Sequence, residues 1–258
     1  MEFKSIGFIG GGRITRIFLQ GFSNKKALPK SISVFEPNNE VLKLLQTDYP
    51  EVVAADSVTE VAKQDIVFIA VHPPVVMDTL QAIKDAVTGN TIVISLAPKI
   101  TLEKMAAVLQ IPKLVRMIPN ATSFINEGYN PIAFAPDFPK KEKKQLLKLL
   151  KKLGKTFETE ESKLESYAIV SAMLPTYFWF QWEAMENIAK ETGLSVEEAQ
   201  KTVSASLKKA MKLYYKSGLS PEEVMDLIPV KPIGENEAEI KGILNSKLMG
   251  LYGKIKPQ

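Results

Sequence analysis

The chain contains no cysteine, one histidine and three arginines, and it has no apolar run long enough to cross a bilayer. Without cysteine there can be no disulfide and no thiolate metal site, and a lone imidazole, His72, makes a zinc cluster improbable, so no metal is expected. The longest apolar stretch, Ile169 to Trp182, is broken by Pro175 and falls short of a membrane span. The first strand is entered without a signal-like segment, and the expectation is a soluble cytoplasmic protein with no membrane partner. A formal net charge of +4, scattered along the chain, is too slight to indicate nucleic acid. What remains is 258 residues at 45% apolar content, enough for one large core or two smaller ones.

The scarce arginines are informative because the chain carries 33 basic residues and two of its three guanidinium groups, Arg13 and Arg16, fall within four positions. They follow a short apolar run ending at Ile9 and the triplet Gly10-Gly11-Gly12. Ile14, Ile17, Phe18 and Gly21 then recur at helical spacing. This reads as strand, turn and helix. Gly10 allows a sharp bend, and Gly12 lets backbone N–H groups approach a pyrophosphate at the helix N-terminus. A cation in the first turn of a helix opposes the macrodipole unless an anion is bound there. Thr15 stands at the third small position of a G-x-G-x-x-G pattern, and its branched side chain predicts a helix pushed slightly off the strand.

The second strand, Ser31 to Phe35, ends in Glu36. There an acid hydrogen-bonds the adenosine ribose in a dinucleotide fold and repels a 2′-phosphate, which favours NADH over NADPH; the alternative is an exposed strand-end acid. Asp65 to Val71 is an apolar run typical of a central parallel strand, and it leads into His72-Pro73-Pro74. His72 either lies where cofactor or substrate passes or caps the next helix. Further strands, Thr91 to Leu96 and Lys113 to Met117, lead into Ala97-Pro98-Lys99 and Ile118-Pro119-Asn120. The eight lysines of Lys140 to Lys155 are read as a solvated helix face rather than a basic patch. Thr159 to Ser162 is an acidic linker. Beyond it, the aromatic residues Phe178, Trp179, Phe180 and Trp182 suit a subunit interface or a core.

These strand-end motifs occur in an order that resembles the pyrroline-5-carboxylate reductase family. Its Gly-Phe-Ile-Gly-x-Gly is matched by Gly7 to Gly12, and its Val-Lys-Pro-Gln is similar to Val71 to Pro74. Its Ser-Ile-Ala-Ala-Gly-Ile is similar to Ser95 to Ile100, and its Arg-x-Met-Pro-Asn to Arg116 to Asn120. The resemblance implies a Rossmann-type doubly wound α/β domain, residues 1–159, followed by an all-helical dimerisation and substrate domain, residues 160–258. It also implies a homodimer or higher homo-oligomer, with the substrate pocket between the first domain of one subunit and helices of its partner. The reaction implied is NAD(H)- or NADP(H)-dependent reduction of the C=N bond of a small cyclic imine, pyrroline-5-carboxylate to proline. The cofactor-binding set is then Gly10, Gly11, Gly12, Arg13, Ile14, Glu36, Val71, His72, Pro73, Ala97, Pro119 and Asn120, the last two and Ala97 at the nicotinamide.

Four departures qualify the match. The family's Gly-Ser-Gly is Ala172-Met173-Leu174, and its Ser-Pro-Gly-Gly-Thr-Thr loop, which grips the substrate carboxylate, is Pro229-Val230-Lys231-Pro232-Ile233-Gly234. His72 replaces a lysine and Lys99 a glycine. His72, Lys99 and Lys231 are therefore candidates for catalysis without an inherited role. A different imine or keto substrate, or a nucleotide-binding homodimer without turnover, are the alternatives.

Overall fold

The structure, a computed structural model, describes residues 3–257. Short apolar, β-branched runs become strands, and the 3.6-residue patterns between them become helices. The first part of the chain alternates β1 (Ser5–Ile9), α1 (Arg13–Asn24), β2 (Ser31–Phe35), α2 (Asn39–Asp48), β3 (Val52–Ala54) and α3 (Val58–Val61). It continues with β4 (Ile66–Ile69), α4 (Pro73–Ile83), β5 (Ile92–Ser95), α5 (Leu102–Leu109), β6 (Leu114–Met117), β7 (Gly128–Phe134), α6 (Lys140–Leu150) and β8 (Gly154–Glu158). These strands form one sheet in the order β3-β2-β1-β4-β5-β6-β7-β8. All neighbours run parallel except β6 and β7. From β1 the chain works outward through β2 and β3, then crosses back to β4 on the other side. The carboxyl ends of β1 and β4 therefore part, and a crevice opens there.

Because strand side chains alternate, the sheet feeds two cores. Phe8, Ile32, Val34 and Phe68 pack with Phe18 and Phe22 of α1 and Leu146 and Leu150 of α6. Ile9, Val67, Ile69 and Val93 pack with Leu80 of α4 and Met105 of α5. The lysines of α6 flank a stripe in which Leu146 and Leu150 are the buried side chains, as a solvated helix face requires.

The acidic stretch expected to be a linker is instead folded onto the sheet. The Thr159 N–H donates to the Ile132 carbonyl, and Glu161 opens a 3-10 turn, Glu161–Lys163. Then come α7 (Leu164–Tyr167) and a π-helical segment, Ala168–Ala172. Contacts within the chain separate a sheet unit, which runs to Met173 and takes back the chain from Leu251, from a helical unit, Leu174–Gly250. The helical unit comprises most of α8 (Leu174–Glu191), α9 (Val196–Lys216), α10 (Pro221–Asp226) and most of α11 (Glu237–Ile255). Ser195 and Ser220 each start a helix with a reciprocal capping box, to Glu198 and Glu223.

Candidate active site

The turn from β1 into α1 is built as its glycines suggest. Gly10 has φ +105°, and a Cβ there would lie 2.6 Å from the Ala70 carbonyl oxygen, so any side chain is excluded. Gly12 differs: a Cβ on it would meet nothing within 4 Å. The protein itself does not need glycine at that position, and the open space lies where a phosphate approaches the helix N-terminus. Thr15 is fully buried, and its hydroxyl donates to the Gly10 carbonyl at 2.6 Å. The branched side chain therefore ties helix to turn instead of forcing them apart.

Glu36 reinforces the same turn. One of its carboxylate oxygens accepts the Gly11 N–H at 2.8 Å and the other accepts the Asn38 N–H at 2.9 Å. Asn38 in turn caps α2 by accepting from the N–H groups of Glu40 and Val41. Each carboxylate oxygen keeps a further lone pair for a hydroxyl donor. The Gly11 N–H, however, is spent inside the protein, which leaves the first N–H groups of α1 as the donors for an anion.

The crevice at the β1–β4 switch point is a cleft of 610 Å³. It brings together Gly11, Gly12, Arg13, Ile14, Val71, His72, Pro73 and Ala97 from the expected set. It adds Arg16, Val41, Leu44, Leu45, Asp48, Ala70, Leu96 and Pro98. Of the two guanidinium groups expected to face a phosphate, Arg16 is already paired with Asp48 at 2.9 Å. Arg13 is exposed and makes no ion pair among the described residues. His72 occupies the N-cap position of α4, but its ring makes no capping bond there, and Pro73 in the first turn has no N–H to cap.

Other expected residues lie outside the cleft lining. Gly10 and Glu36 hold the turn without lining the cleft. Pro119 is half-buried at the end of β6, and Asn120 is committed to structure. The Asn120 amide donates to the Ser171 carbonyl at 3.2 Å and to its hydroxyl at 3.3 Å, while its carbonyl oxygen accepts from the Thr122 N–H and hydroxyl. Its own N–H donates to Asn130. It thereby fastens the π-helical segment to the sheet. Lys231 is exposed in the helical unit. Glu237 is held below the usual carboxylate range mainly by its hydrogen bond and charge contact with Lys241, with a smaller pull from Lys231.

Sequence reasoning missed an ion cluster under the carboxyl end of β5. Arg116, on the central strand β6 and 1% exposed, donates to Glu161 at 2.9 Å and to the equally buried Glu165. Glu165 also accepts the Lys99 N–H at 3.0 Å, and Glu161 accepts the Leu102 N–H at 2.7 Å. The loop that follows β5 is therefore clamped at both ends by carboxylates held on one guanidinium. The available signal was an arginine amid Leu114, Val115 and Met117, since a charge on a buried strand requires partners. The Arg116 Nε and one Glu165 oxygen have no hydrogen-bond partner.

Lys99 within that loop has φ +78°. Following Pro98, whose ring fixes φ near −65°, this is the φ pair of a type II turn, in which glycine is the ordinary second residue. A side chain in that region costs about 1–2 kcal/mol.

A largely parallel sheet with its crevice at a glycine turn and a helix N-terminus facing it is the architecture of a dinucleotide-binding fold. Consistent with that fold, residues 5–99 match the family model for NADP oxidoreductase, coenzyme F420-dependent. The chain is 26% identical over 253 residues to the pyrroline-5-carboxylate reductase of Methanosarcina acetivorans, covering 97% of this chain and 92% of that one. It is 26% identical over 228 residues to the Escherichia coli enzyme, covering 87% and 84%. In fold it is similar to the pyrroline carboxylate reductase of Plasmodium falciparum solved with NADP bound, with a TM-score of 0.83, 20% identity and coverage of 99% and 98%. The chain is thus similar over most of its length to pyrroline-5-carboxylate reductases, and these likenesses support an NAD(P)H-dependent oxidoreductase.

Proposed function

We propose that the chain reduces the C=N bond of a small cyclic imine, pyrroline-5-carboxylate to proline or a close relative, at the expense of NADH or NADPH. The observation that carries this reading is the open space at Gly12, beside the first turn of α1 and at the mouth of the cleft. The chain's own groups fit a dinucleotide. The free N–H groups of α1 and the unpaired Arg13 answer a diphosphate. The residual lone pairs of Glu36 accept ribose hydroxyls, which favours NADH because a 2′-phosphate would meet a carboxylate. Ala97, Val71 and Pro73 supply apolar walls toward the nicotinamide end. When bound, the reduced nicotinamide supplies a hydride. The protein's part is to hold donor and imine carbon close and to keep water out, because an imine that arrives protonated needs no general acid.

Self-association belongs to the same reading. In the helical unit Phe178, Trp179, Phe180 and Trp182 of α8 are all exposed, as are Tyr215 of α9 and Ile243 of α11. A second copy of the chain covering these faces makes a homodimer or larger homo-oligomer. The replaced loop favours a variation in substrate: Val230 and Ile233 are exposed, and this loop offers no hydroxyl to a carboxylate. A related imine or keto acid is then the substrate, with the cofactor side unchanged.

The test is loss of absorbance at the reduced nicotinamide band when purified protein meets pyrroline-5-carboxylate, 1-pyrroline or a keto acid. Oxidation with a cyclic imine is expected. Oxidation with none, despite dinucleotide binding, leaves a nucleotide-binding oligomer without turnover and ends the enzymatic reading.

A further inference from the structure

We propose that Lys99 is the anion anchor of this site, its ammonium binding the carboxylate of a small substrate acid at the rim of the cleft. The inference rests on the reductase reading and narrows its substrate to a carboxylate-bearing molecule. Four observations carry it. Lys99 holds a backbone conformation, φ +78°, that glycine would adopt freely, so a side chain is kept there against its own strain. The position is over-determined, because its N–H is fastened to Glu165, which is locked in turn on the buried Arg116. The preceding residues, Ala97 and Pro98, line the cleft, while the Lys99 side chain is exposed and its ammonium makes no ion pair among the described residues. Finally, the loop Pro229 to Gly234 has no hydroxyl, and its two prolines lack an N–H, so it is poorly furnished to hold a carboxylate. A carboxylate needs a cation or several donors, and Lys99, next to Ala97 and Pro98 of the cleft lining, is a cation without an ion pair among the described residues.

The experiment compares L-proline with L-prolinamide, which differ in the carboxylate alone, by calorimetry on the full chain saturated with NADH. Wild type is expected to bind proline at least about tenfold more tightly than prolinamide. Lys99→Gln and Lys99→Gly are expected to lose about tenfold or more for proline while binding prolinamide and NADH as before; Lys99→Arg keeps the preference. Lys99→Gly also relaxes the backbone, so its loss cannot come from misfolding. Proline bound equally by wild type and Lys99→Gln overturns the assignment, as does a wild type that binds neither ligand or does not distinguish them. Failure of the reductase reading shows separately, as absence of turnover with every imine while the proline and prolinamide affinities still report on Lys99.

Discussion

The sheet unit and the helical unit solve the problem of apolar surface in opposite ways. In the first, every central strand is buried on both faces, and even a guanidinium is enclosed with two carboxylates. In the second, among the described residues, Ala199 is the only buried one, while two tryptophans, several other aromatic residues and many aliphatic side chains remain exposed. A soluble monomer seldom leaves so much apolar surface open. The sheet unit carries its own core and a binding cleft, whereas the helical unit keeps its apolar side chains on its surface, the feature on which the proposed self-association rests.

The largest effect is expected at Arg116. Arg116→Ala leaves Glu165 buried without its partner and is expected to cost the sheet unit about 3–5 kcal/mol, read from urea unfolding. An unchanged midpoint would mean that the cluster is not holding the loop after β5. Next in size is Phe180→Glu in α8, a residue 64% exposed. On the proposed self-association, a carboxylate there should weaken assembly by about 2 kcal/mol or more, seen by sedimentation as monomer at concentrations where wild type is assembled. The cleft and its dinucleotide affinity should stay as they were. The smallest effect is Ser195→Ala at the start of α9. Glu198 is held below the usual carboxylate range by its hydrogen bonds to the backbone and hydroxyl of Ser195. A lowered folded-state pKa stabilises above the unfolded value, and that contribution is lost as pH falls through the folded value. The variant should melt a few degrees lower at neutral pH, with the gap narrowing in acid.

Elements whose causes are local were legible before any coordinates. The second strand, Ser31 to Phe35, falls where an apolar run between turn residues puts it. Thr101 and Ser195 start helices because a hydroxyl before an apolar stripe can accept the orphan N–H groups. The Gly10 to Gly12 turn is legible for the same reason. What escaped depends on partners distant in sequence. Arg116 meets Glu161 and Glu165 across 45 and 49 residues, so the acidic stretch looked like a connector. Arg16 is taken by Asp48 on the neighbouring helix, and the Asn120 amide by Ser171. In each case residue type announced a polar group needing a partner, and only the fold could say which one.

The most direct measurement is a titration of the full chain with NADH, run beside Gly12→Ala. Because a Cβ at Gly12 meets no protein atom within 4 Å, the variant should fold with wild-type stability, within about 0.5 kcal/mol, and yet bind the dinucleotide at least about tenfold more weakly. Equal affinity in the two proteins, or no binding by wild type at millimolar NADH and NADPH, would contradict the placement of the diphosphate at this turn.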